Sequence, residues 1–195
     1  MSAMSALHKK RYSLEEYMTM ERVSEHKHEY HEGEVLAMAG TSPDHDTIAV
    51  NILTALNVQL KKRPCKVFSS EIRVRVTPQR YNYPDIKVVC GTPQYTNDNP
   101  PALMNPTVII EIASASTAEY DRTEKFAKFR RIASLQEYLL VAQYEVRVEH
   151  WVRQDDINWH VQDIYDIHAI IHLKTIDCTL ALADIYDKIE FDENA

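Results

Sequence analysis

The chain has 195 residues, 45% hydrophobic and 26% charged, enough to bury one substantial core, so a single domain over residues 1–195 is expected. No stretch approaches the roughly 20 consecutive apolar residues that span a bilayer, and the N-terminal MSAMSALHKKRYS lacks the apolar run of a signal peptide. A cytoplasmic protein without membrane association is expected. The formal net charge of −7 opposes non-specific nucleic-acid binding, although a local basic groove and bound divalent cations reverse the sign at a site. The three cysteines, Cys65, Cys90 and Cys178, are odd in number and far apart in sequence. That pattern argues against a disulfide framework or a CxxC knuckle and for small core residues.

Ser13-Leu14-Glu15-Glu16 reads as a capping box and starts a short helix over residues 14–20. Residues 29–31 and 34–38 form a hairpin about Glu32-Gly33, the glycine supplying positive φ. After Ser42-Pro43-Asp44, Ile48, Ile52, Leu56 and Leu60 recur every four positions as one apolar helical stripe. Lys61-Lys62-Arg63 complement the dipole at its C-terminal end, a reading preferred to a DNA contact, and Pro64 stops it.

Strands are expected over residues 65–69, 72–76 and 83–89, with a turn at 77–80. In Ile72-Arg73-Val74-Arg75-Val76 strict alternation gives one buried and one basic face. Residues 91–105 are loop, and Thr107-Val108-Ile109-Ile110-Glu111-Ile112 reads as a central strand covered on both faces. Ser114 to Thr117 offer caps for a helix over about 118–132, with Phe126, Phe129 and Ile132 on its apolar side. Strands follow over 135–141, 146–152, 157–164 and 170–173, then a last helical turn over 182–186 and an acidic, fraying end over 191–195. The order describes an α/β (α+β) fold with a central mixed β-sheet flanked by helices and additional antiparallel C-terminal strands.

Asp85 and Glu111 are charges set among apolar strand residues. Burying an unpaired carboxylate costs several kcal/mol, so each needs a cation, amide donors or a metal. If the two strands are neighbours, both acids reach one divalent ion, and oxygen ligands of this kind suit Mg²⁺ or Mn²⁺. Otherwise each caps a turn or pairs with an arginine. Lys125, four residues after Asp121, lies on the helix entered just after Glu111, so its early turns can overhang the same cleft.

These residues carry a resemblance to the Uma2 (DUF820) family of the restriction-endonuclease-like PD-(D/E)XK group. The matching text is Lys27 to Gly33 (KHEYHEG) with Glu34-Val35, Ser42-Pro43-Asp44-His45, Tyr83-Pro84-Asp85-Ile86-Lys87-Val88-Val89, the block from Val108 to Thr117, Asp121-Arg122-Thr123-Glu124-Lys125 with Phe129, and Glu137 to Val141. It spans a core of about residues 13–152. The resemblance implies a restriction-endonuclease-like core and hydrolysis of nucleic acid, DNA first, with Mg²⁺ or Mn²⁺. Asp85 and Glu111 would be the metal-binding acids and the Ile112 carbonyl a further ligand. In-line attack would leave a 5′-phosphate and a 3′-hydroxyl. Ala113 stands two residues after Glu111, where the group's pattern has lysine, and the resemblance moves that role to Lys125. Its helical core glutamate corresponds to Glu34 or is missing; His45 and Asp121 are auxiliary candidates.

Lys128, Arg130, Arg131, Arg73 and Arg75 are either backbone contacts or a solvated basic face. His26, His28 and His31 form HxHxxH, but with no cysteine nearby and no zincin spacing they read as surface histidines. Ser114 and Ser116 lack nucleophile-elbow glycines, and the three glycines of the chain leave no phosphate loop. A nuclease-fold binding or assembly module that no longer cuts is the alternative function. A homodimer fits the need for two sites to cut both strands, with the strands from Val146 onward as its edge or face.

Overall fold

The computed structural model describes residues 10–38 and 40–191; most of the acidic C-terminal end lies outside them. Helix α1 (Leu14–Val23) starts at the expected capping box, Ser13 accepting from the Glu16 amide and Glu16 reaching back. Strands β1 (His28–His31) and β2 (Glu34–Ala37) pair antiparallel about a turn in which Glu32 and Gly33 both take positive φ, 54° and 103°. Two consecutive left-handed residues match the twist of a two-residue hairpin. Helix α2 (Pro43–Leu60) is capped by Ser42 and buries Ile48, Ile52, Leu56 and Leu60.

Six strands then follow before the first crossover completes: β3 (Cys65–Phe68), β4 (Val74–Thr77), β5 (Arg80–Asn82), β6 (Ile86–Cys90), β7 (Val108–Ala113) and, after a helical crossover, β8 (Glu137–Ala142). The crossover comprises α3 (Ala118–Tyr120), a π-helical turn (Asp121–Lys125) and α4 (Phe126–Phe129). Strands β9 (Val148–Arg153), β10 (Trp159–Ile164), β11 (Ile170–Leu173) and β12 (Cys178–Ala181) lead to α5 (Leu182–Ile185). The central sheet runs β10-β9-β8-β7-β6-β3; β7 and β8 are parallel and the other pairs antiparallel. The small sheet runs β2-β1-β5-β4, and β11 pairs with β12 alone.

The central sheet is covered on both faces, as its near-continuous apolar strands require. Ile86, Val88, Ile110, Ile112, Leu139 and Val141 pack toward α2, α5 and β12, while Val89, Ile109, Ala113, Tyr138 and Leu140 pack toward the crossover helix. Glu111, out of step with Ile110 and Ile112, therefore faces the crossover helix.

Three expectations are corrected. Cys65 and Cys90 are joined in a disulfide, because antiparallel β3 and β6 set them directly opposite each other; only Cys178 is the small buried core thiol expected of all three. Arg73 is 1% exposed and lies outside a strand that begins at Val74, so the basic face of that segment reduces to Arg75. The expected turn at 77–80 closes earlier, releasing Arg80 into β5, a short strand of the small sheet that the sequence does not announce ahead of the strand expected over 83–89.

Candidate active site

Tyr83-Pro84-Asp85 is where the chain leaves the small sheet at β5 and enters the central sheet at β6. Pro84 has no N–H to donate to either ladder, which suits such a switch point. Asp85, on its far side, is held in two directions: Oδ2 accepts from the Ile112 amide at 2.8 Å, and Oδ1 is 3.1 Å from Nε2 of His45 near the start of α2. Burial favours the acid form of Asp85, but the His45 contact, the charges of His45 and Lys125 and the Ile112 amide outweigh it and hold the carboxyl below its usual range.

Glu111 is 3% exposed on β7. Its Oε1 lies 2.8 Å from Nζ of Lys125, which also stands 3.4 Å from Oδ1 of Asp121. Burial pushes the Glu111 carboxyl well up, opposed first by Lys125 and reinforced by Asp85 and Asp121. Burial alone would pull the Lys125 amine down; Glu111, Glu29 and Asp121 reverse this and keep it an ammonium. The π-helical turn presents both Asp121 and Lys125 to the sheet, where both are buried. Such single π turns interrupt helices most often where side chains are placed for function. Asp85, His45, Glu111, Ile112, Asp121 and Lys125 thus meet at one end of β6 and β7.

Glu34 stands farther out, on edge strand β2 opposite His31. The acid of the small sheet whose field couples to Lys125 is Glu29, which the sequence reading passed over. Its Oε1 accepts from the Tyr83 amide at 3.1 Å and its Oε2 from Asn82 at 2.8 Å, with His31 Nε2 at 3.0 Å. Burial raises its carboxyl, but His31, Lys125 and the Tyr83 amide prevail and hold it at about 2. The strand period could have found it, since Glu29 and His31 share a face.

Lys87 was passed over too. It follows Asp85 by two residues, is fully buried, and donates to the carbonyls of Ser69 and Pro84. Burial pulls its amine down to about 7 against the opposing fields of Glu111 and Asp85. The histidines of HxHxxH are engaged separately where contacts are seen, His28 with Glu21 and His31 with Glu29.

The donor set suits a hard divalent cation. Asp85 and Glu111 offer oxygen, and Ile112 offers a carbonyl on the same strand edge as the amide it gives to Asp85. The carbonyl of Ala113, by contrast, turns toward β8 and accepts from Gln143. Among the described residues no three His, Cys, Asp or Glu side chains gather around one point to hold a metal. Two carboxylates with a carbonyl is nevertheless the sparse protein share Mg²⁺ uses when it keeps several waters.

A mixed sheet with a parallel β7–β8 crossover and two acids at the ends of adjacent strands places the molecule in the restriction-endonuclease-like class. The model of the Uma2 family, described as "Putative restriction endonuclease", matches residues 14–183. The chain belongs to the Uma2 family. It is 33% identical over 157 residues to the uncharacterized protein sll1609 of Synechocystis, covering 80% of this chain and 89% of that protein. It is 31% identical over 180 residues to the uncharacterized protein slr1290 of the same organism, covering 92% and 93%. The crystal structure described as a putative nuclease belonging to DUF820 from Anabaena variabilis shares the fold, with a TM-score of 0.74 and 18% identity over 92% of this chain and 99% of that one. No described helix is long and apolar enough to cross a membrane.

Proposed function

We propose that this protein is a Mg²⁺-dependent endonuclease, with Mn²⁺ able to substitute, that hydrolyses phosphodiester bonds of DNA. The observation that carries this reading is the meeting of Asp85, Glu111 and Lys125 at one end of adjacent strands, in a chain of a family described as "Putative restriction endonuclease". Asp85, Glu111 and the Ile112 carbonyl are the groups that would hold the ion. When bound, Mg²⁺ supplies charge neutralisation on the scissile phosphate and a more acidic water.

The chain's own residues do the rest. His45 and the Ile112 amide fix the orientation of Asp85. Lys125 is a fixed cation beside Glu111 that would stabilise the negative charge building on the phosphate or orient the attacking water. Asp121 holds the Lys125 ammonium from its other flank. In-line attack leaves a 5′-phosphate and a 3′-hydroxyl. β10 is a terminal strand of the central sheet, and pairing of two such edges is the proposed route to a homodimer that cuts both strands.

A non-cutting binding module is the second reading, favoured by the lack of a ready three-group metal cluster among the described residues and by the net charge of −7. Incubation of the protein with plasmid, single-stranded DNA and RNA in Mg²⁺ or Mn²⁺ separates the two. Cleavage of DNA that Asp85→Ala and Glu111→Gln abolish is expected. No cleavage of any substrate above the Asp85→Ala level would leave only the binding module, and cleavage of RNA alone would reassign the substrate.

A further inference from the structure

The small sheet turns one polar face toward the crossover helix. Strand alternation puts Glu29 and His31 of β1 on it together with Arg80 and Asn82 of β5, His31 lying directly opposite Arg80. Nη2 of Arg80 donates to the Tyr120 hydroxyl at 2.9 Å. Tyr120 immediately precedes the π turn, and Arg80, Glu29, Lys125 and Asp121 all lie near enough to act on its hydroxyl. Arg80 therefore faces the turn of the crossover that carries Lys125.

Its Nε donor is left unfilled there. Arg80 is 7% exposed, makes no ion pair among the described residues, and its buried Nε has no hydrogen-bond partner. Asn82, on the same face, also leaves Oδ1 buried and without a partner among the described residues. Other arginines are answered: Arg122 and Arg147 share Glu149, and Arg63 pairs with Asp177. Buried Arg73 is boxed between the Tyr17 and Tyr81 rings, with the Tyr17 hydroxyl, Met18 sulfur and Pro100 carbonyl taking its donors. A buried guanidinium without a carboxylate is costly, and its planar fork matches phosphate oxygens.

We propose that Arg80 is a phosphate-binding residue, taking an oxygen of the substrate backbone from the small-sheet wall of the cleft while Tyr120 holds its guanidinium in place. This rests on the nuclease reading above and adds a contact to it. A phosphate there would fill the free Nε and neutralise the charge in one step.

The test is binding of a fluorescently labelled oligonucleotide, single-stranded and as a duplex, in Ca²⁺ across a salt series. Wild type, Arg80→Met and Arg80→Lys are compared, with thermal melts to establish that each is folded. Arg80→Met should weaken binding about tenfold and lower the slope of log affinity against log salt by about one. Arg80→Lys, which keeps the charge and loses the fork, should weaken binding several-fold at unchanged slope, and it decides the matter if the Met variant does not fold. Folded variants that bind both probes like wild type, with only a lower melting temperature, would make Arg80 a structural residue and overturn the inference while leaving the nuclease reading intact. A wild type that neither binds nor cleaves would remove both.

Discussion

Nζ of Lys125 lies 2.8 Å from Oε1 of Glu111, with both side chains withdrawn from solvent and Asp121 at 3.4 Å on the other flank. A helix residue and a strand residue are thereby locked across the interface where the crossover packs on the sheet. On the proposed function, a metal ion held by Glu111 would have to compete with this ammonium for the carboxylate.

Removing both partners of this pair should cost less than the sum of the two single removals. Lys125→Met leaves Glu111 to burial and its acidic neighbours, and breaking a buried pair this way costs about 3–5 kcal/mol. Glu111→Gln strands the ammonium, though Asp121 and Glu29 still answer it, so a smaller loss is expected. The double variant Glu111→Gln/Lys125→Met should be more stable than the sum of the singles by roughly 1–3 kcal/mol in urea denaturation. Additive losses would mean that the two groups are not energetically coupled. All three variants should lack cleavage.

His45 should act through Asp85 and not on substrate. It orients the carboxylate from 3.1 Å, and partners that orient metal ligands typically change metal affinity about 10–100-fold when removed. His45→Ala should therefore raise the Mg²⁺ concentration needed for half-maximal cleavage by about that factor, with a much smaller change at saturating Mg²⁺. An unchanged metal requirement, read from a Mg²⁺ titration, would detach His45 from the site.

The legible and illegible parts of the sequence divide by range of interaction. Capping at Ser13 and Ser42, the stripe from Ile48 to Leu60 and the apolar β7 run are local patterns, and each gave an element of the right type in nearly the right place. The strand-end acids Asp85 and Glu111 stood out because their neighbours are apolar. Pairing was illegible: nothing local to Cys65 or Cys90 says that β3 and β6 will set them opposite each other. Strand period puts Glu29 on one face with His31, but what fills its surroundings was hidden: the β1–β5 pairing sets Asn82 and Tyr83 beside it and the crossover brings Lys125 near. Glu34 drew notice as the counterpart of the family's helical core glutamate, and it stands on edge strand β2, not on a helix.

Glu29 predicts an acid-sensitive fold. Its carboxyl is held at about 2 in the folded protein against an ordinary value of 4.5. A depressed folded value contributes stability that is fully present above the unfolded value and is lost as pH falls from about 4.5 toward 2. The contribution is at most about 3 kcal/mol. Urea midpoints measured from pH 6 downward should fall less steeply below pH 4.5 for Glu29→Gln than for wild type, with the two curves converging at the acid end. Parallel curves over that window would show that Glu29 keeps an ordinary carboxyl.

The Cys65–Cys90 bond ties edge strand β3 to β6, the strand that Asp85 leads into. A cross-link over a sequence separation of 25 restricts the unfolded chain, and in the loop-entropy description a closure of this size contributes about 3.5 kcal/mol. Reduction should lower the unfolding free energy by roughly that amount. Cys65→Ala/Cys90→Ala should be insensitive to reductant and near the reduced wild type in stability. The β6–β7 ladder and the Ile112–Asp85 hydrogen bond do not depend on the cross-link, so cleavage at a temperature where the reduced protein stays folded should be largely preserved. Denaturation curves with and without dithiothreitol, beside thiol counts on the unfolded protein, test this directly. Three reactive thiols in the non-reduced protein would show that the bond is absent.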